Sequence, residues 1–132
     1  MTAITASIDQ TTFLRRVLLV DAATCIATGA LLAVEAAPLS RLLGLPAAVL
    51  FWAGASLFPS AALMLWVALR ERLSHAAAWL IVAGNALWVI ASVGVLFALA
   101  LTALGYAFVI AQAVAVALLA ELEYVGLRKA AA

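Results

Sequence analysis

Long uncharged runs separated by short charged punctuation organise this chain. Arg15 and Arg16 precede an apolar run from Val17 to Ala37 whose charges are Asp21 and Glu35. A segment from Pro38 to Pro46 follows, carrying Ser40 and Arg41. The next run, Ala47 to Leu69, has no charge and stops at Arg70-Glu71-Arg72. Each run is roughly 20 residues long, which as a helix crosses a hydrocarbon core of about 30 Å.

No charge occurs between Ala76 and Ala120. As a single helix this stretch would extend roughly 65–70 Å, about twice the bilayer core, so it must turn back once. Thr102 and Gly105 are the turn-compatible residues near its midpoint, and they place the hairpin at Leu101 to Gly105. The pattern predicts an all-α integral membrane protein of four transmembrane helices, at about 17–37, 47–69, 75–100 and 102–124, in an up-down bundle. Backbone groups in lipid must bond internally, which makes helices the reading of such runs.

This single domain, residues 13–128, is preceded by a polar segment, 1–12, either disordered or a short surface helix, and followed by a tail, 129–132. The segment 38–44 opens on Pro38 and closes on Gly44, predicting one or two helical turns in the interface. Pro59 removes one helical hydrogen bond and predicts a kink in the second span, freeing the carbonyl of Ala55. The first run is too long for a signal-peptide core and contains Asp21, so it is expected to remain as a helix.

Charge supplies the orientation. With four spans, Arg15, Arg16, Arg70, Arg72, Arg128 and Lys129 share one side and Arg41 lies on the other. That bias predicts both termini in the cytoplasm. The Ala-rich, loop-poor composition suggests a bacterial inner membrane.

Composition agrees with lipid as the solvent. Of 132 residues, 70% are hydrophobic and 10% charged, whereas a soluble domain is nearer half apolar and a quarter charged. Net charge is +1, with basic residues in small groups, which gives no nucleic-acid surface. The single cysteine, Cys25, excludes an intrachain disulfide and a multi-cysteine metal site. One histidine, His75, excludes bis-histidine haem ligation within the chain, and Lys129 in the tail is the one lysine, excluding a buried Schiff base. No cofactor and no metal are expected.

Polar residues inside spans are costly and tend to face the protein interior. On the first span Asp21, Thr24, Cys25, Thr28 and Glu35 recur at helical spacing along one face. On the third, Asn85, Trp88 and Ser92 form a similar stripe; the fourth adds Tyr106 and Gln112. Counting from the cytoplasmic ends puts Asp21 in the inner third and Glu35 at the outer interface. Thr28, Pro59, Ser60, Asn85 and Gln112 then fall near the midplane.

Two readings follow. Asp21, Thr28, Asn85, Trp88 and Gln112 could line a polar cavity or proton-linked path. Alternatively these groups satisfy one another: Asp21 with Arg16, Glu35 with Arg41, and Asn85 with Gln112. Trp52, Trp66 and Trp79 read as interfacial anchors, while Trp88 sits near the bilayer centre. Ala107, Ala111 and Ala115 form a small-residue ladder suited to close helix contact. Glu121 and Glu123 read as the solvated end of the fourth helix.

The chain offers no nucleophile with a base, metal cluster or phosphate loop, so an enzyme is not expected. The residues fit a small non-enzymatic membrane protein. Such a protein would be a homo-oligomer, an accessory subunit of a larger membrane complex, or a binder of a lipophilic small molecule. The alternative is a small proton-coupled transporter using the acid of the first helix.

Overall fold

The computed structural model describes the backbone of residues 2–131 and the side chains of residues 11–129. Its described residues form five helices and no strand: α1 (Thr2–Val34), α2 (Ala36–Leu43), α3 (Ala47–Leu69), α4 (His75–Ala98) and α5 (Ala103–Ala131). Four of them, all but α2, are long and apolar enough to cross a membrane. Only 17–33% of each span is buried within the protein. Most of the apolar surface of these helices is therefore left uncovered by the chain itself.

Two boundaries differ from the charge pattern. The first helix starts at Thr2, so residues of the polar segment continue the span as one helix. The last extends to Ala131, well beyond Tyr124. Leu14 and Leu18 of α1 and Leu127 of α5 are almost fully buried in the core shared with Met64, Val67 and Ile81. Polar residues do not lengthen a hydropathy run, yet they propagate a helix whenever its other face is packed.

Packing is uneven around the bundle. Helix α1 lies against α3 and α5, α5 also packs on α4, and α3 touches α4 only lightly. The α1–α3 contact depends on a glycine pair. A Cβ on Gly29 would lie 2.8 Å from the carbonyl oxygen of Gly54, and one on Gly54 would lie 2.8 Å from the amide nitrogen of Ala33. The backbones of α1 and α3 thus approach closely here. Ala107, Ala111 and Ala115 are exposed on α5.

Both loop ends are tied. Arg15 donates to the carbonyls of Ala68 (2.7 Å), Arg70 and Glu71 (3.0 Å), satisfying the end of α3. Ser74 caps α4, its Oγ accepting from the Ala77 amide. At the other end α2 closes on Gly44, whose φ of 78° is the left-handed conformation a C-cap needs.

The turn between α4 and α5 docks on α2 through Thr102. Its amide donates to Leu43 O (3.1 Å), its hydroxyl donates to Leu42 O (2.9 Å), and its Oγ1 accepts from the Gly105 amide (2.9 Å). Gly105 is therefore inside α5 rather than in the turn. A Cβ there would collide with the Leu43 carbonyl, so glycine is required by close approach. Helix α3 runs unbroken through Pro59.

Candidate functional site

Each polar residue of the interior is carried by a span whose remaining positions are apolar, so helical spacing decides which ones meet. Asp21, Thr24, Cys25 and Thr28 share one face of α1 and line a cavity of about 280 Å³. Ser60 of α3, Gly84, Asn85 and Trp88 of α4 and Gln112 of α5 complete its polar and aromatic lining. Leu57, Leu63, Ile81 and Val116 are among its apolar walls. The light α3–α4 contact leaves room for this space.

At one end of the cavity lies a cluster of acids around one amide. Asn85 Nδ2 donates to Asp21 Oδ2 at 2.9 Å and to Glu123 Oε2 at 3.1 Å. The Cys25 thiol lies 3.6 Å from Asp21 Oδ1. Asp21 is 3% exposed and Glu123 is 0% exposed. Asp21 and Asn85 face the cavity directly, with Glu123 behind them. Among the described residues no arginine or lysine bonds to either acid. Arg15 is engaged at the end of α3, Arg128 donates to the Tyr124 hydroxyl (3.0 Å), and Arg16 is exposed.

The middle of the site is a second network. Trp88 Nε1 donates to Gln112 Oε1 at 2.7 Å, and Gln112 Nε2 donates to Ser92 Oγ at 3.0 Å. Ser92 returns its own hydroxyl to the Trp88 carbonyl at 2.8 Å. Beyond this bridge a second cavity of about 200 Å³ opens among Leu32, Leu50, Ala53, Val95 and Phe108. Thr28, Trp88 and Gln112 line both spaces.

All five interior residues picked out by spacing, Asp21, Thr28, Asn85, Trp88 and Gln112, border the same cavity. Their pairings differ from the depth count. Asn85 meets Asp21 and Glu123 instead of Gln112, and Asp21 meets Asn85 instead of Arg16. The reason is that α1 and α5 extend further than their apolar runs, so these three groups lie at one level. Glu35 stands apart, exposed at the junction of α1 and α2. Pro59, also exposed, does not line this cavity.

Glu123 corrects the reading of a solvated helix end. Its neighbours in sequence, Glu121 and Tyr124, are exposed, which hides it in a charged tail. The available signal was periodicity. Gln112, Val116, Leu119, Glu123 and Leu127 recur at intervals of three and four, a single packed stripe of α5. Trp52, Trp66 and Trp79 are exposed, unlike the half-buried Trp88.

Among the described residues no group of three His, Cys, Asp or Glu side chains could hold a metal ion. No protein-family model matches the chain, and comparisons with curated proteins and with solved structures return no match. The functional reading therefore rests on the chemistry of this interior.

Proposed function

We propose that this chain is a non-enzymatic integral membrane protein that holds a lipophilic small molecule between its helices. It would span a bacterial inner membrane with both termini in the cytoplasm. The observation that carries the reading is the cavity of about 280 Å³, apolar along its walls, with Asp21 and Asn85 at one end. Ligand sites combine these features: mostly hydrophobic lining and a few convergent polar groups that fix orientation. The adjoining space beyond Trp88 and Gln112 gives a long apolar body room to extend.

The exposed ladder of Ala107, Ala111 and Ala115 suits contact with a second copy or a larger complex. Native mass measurement of the full chain released from mild detergent tests both points. The reading expects a mass above that of an integral number of bare chains, by one small molecule per chain. A bare mass for wild type under conditions that preserve the oligomer would count against it.

A second reading, a small proton-coupled transporter, is favoured by the convergence of Asp21 and Glu123 on one amide. Two acids in a water-poor interior are the usual furniture of proton relays. This reading expects Asp21→Asn to abolish proton-driven flux in proteoliposomes at unchanged protein yield. Simple ligand retention expects no proton flux in wild type either.

A further inference from the structure

Among the described residues the acidic end of the cavity holds two buried acids and no basic side chain. Asp21 and Glu123 meet there on one amide. Opposite them stand the two N–H groups of Asn85 and the weak thiol donor of Cys25. The basic side chains on the flanking helices are engaged elsewhere or exposed. An apolar enclosure around such a group strengthens its attraction for a positive charge that also donates hydrogen bonds.

We propose that the cavity takes a lipophilic amine, its ammonium group seated on Asp21 and its apolar body lying along Leu57, Ile81 and Trp88. The inference rests on the ligand-binding reading above and adds the charge of the ligand to it. An ammonium supplies the positive charge that no basic side chain brings to this cluster, together with charge-assisted hydrogen bonds. A neutral head brings no charge to the acid, and an anionic head repels Asp21 outright. Trp88 belongs to the same lining and offers its ring to the apolar body. A body longer than the first cavity passes Thr28, Trp88 and Gln112 into the second.

The test uses three ligands of one shape: 6-phenylhexylamine, 6-phenylhexanol and 6-phenylhexanoate. Binding to the full chain in phosphatidylcholine nanodiscs is measured by equilibrium dialysis, with empty nanodiscs subtracted. Zwitterionic lipid removes surface attraction for the amine. The proposal expects the amine to bind about 10-fold or more tightly than the alcohol, in keeping with a charge-assisted hydrogen bond, and the carboxylate to bind weakest. Asp21→Asn should lower the amine to the level of the alcohol while the alcohol still binds, which also reports that the variant is folded.

Gly84 borders the cavity, and a Cβ there meets nothing within 4 Å. Gly84→Leu should therefore fill the space and weaken all three ligands. Equal binding of amine and alcohol to the unmodified chain overturns the amine assignment and leaves the cavity reading standing. So does an amine preference that survives Asp21→Asn. Saturable binding of none of the three overturns the cavity reading itself. The amine-to-alcohol ratio in the unmodified chain decides the assignment even if Asp21→Asn does not assemble.

Discussion

Asn85 holds Asp21 through a 2.9 Å hydrogen bond that joins α4 to α1, helices whose acid and amide would otherwise face apolar surroundings. The same amino group reaches Glu123 on α5. One side chain thus ties three of the four long helices, and it does so beside the cavity of about 280 Å³.

This arrangement makes the consequences of substitution depend on order. Asn85→Leu removes the donor shared by two buried acids and should destabilise the chain by about 1–3 kcal/mol. Replacing all three polar groups, as Asp21→Leu, Asn85→Leu and Glu123→Leu together, should recover part or all of that loss, because no acid is then left without its donor. Thermal unfolding in detergent, followed by size-exclusion of the surviving fraction, checks both. A triple variant weaker than Asn85→Leu alone would contradict this account of the cluster.

Arg15 acts at the end of α3. Its three carbonyl contacts satisfy groups that the helix itself leaves open. Arg15→Ala should cost about 1–2 kcal/mol of stability, whereas Arg16→Ala, at an exposed position, should stay within about 0.5 kcal/mol. The same unfolding measurement separates the two arginines.

Two glycines on neighbouring helices should respond in opposite ways. Gly105→Ala drives a methyl group into the Leu43 carbonyl and should cost about 1–3 kcal/mol or force α2 away from the α4–α5 turn. Gly84→Ala meets open space and removes a flexible helix-interior residue, so it should be neutral or stabilising by up to about 1 kcal/mol. A destabilising Gly84→Ala would mean that the cavity is already closed in the membrane.

The proposed orientation predicts the fate of reporter fusions. Six basic residues, Arg15, Arg16, Arg70, Arg72, Arg128 and Lys129, lie at the ends assigned to the cytoplasm, against Arg41 at the other. Alkaline phosphatase fused after Lys129 should be inactive, and inserted after Gly44 it should be active. The reverse pattern would turn the proposed topology over.

The spans were legible because lipid demands uninterrupted apolar helices, and charges mark where they stop. The interior stripe was legible for a related reason: in α1 and α4 a polar residue stands out against aliphatic neighbours. Glu123 was not legible by the same rule, since it lies among other charges and only its spacing from Gln112 and Leu127 betrays its burial. Nor could depth be counted correctly. The apolar runs put the helix ends too early, whereas α1 and α5 continue past them and Leu14 and Leu18 share a core with Leu127. The Gly29–Gly54 contact was hidden too, because a glycine's role depends on what approaches it, and that is a property of the partner helix.

The claim that a ligand occupies this interior is tested most directly at Trp88, which lines both cavities. A variant carrying Trp52→Phe, Trp66→Phe and Trp79→Phe leaves Trp88 as its single tryptophan, and all three replaced rings are exposed. Its fluorescence in nanodiscs is titrated with 6-(4-bromophenyl)hexanol, whose bromine quenches on close approach. The account predicts quenching that saturates with ligand and disappears when Gly84→Leu is added. Quenching that rises linearly with the amount of ligand in the lipid, and equally with and without Gly84→Leu, would contradict it.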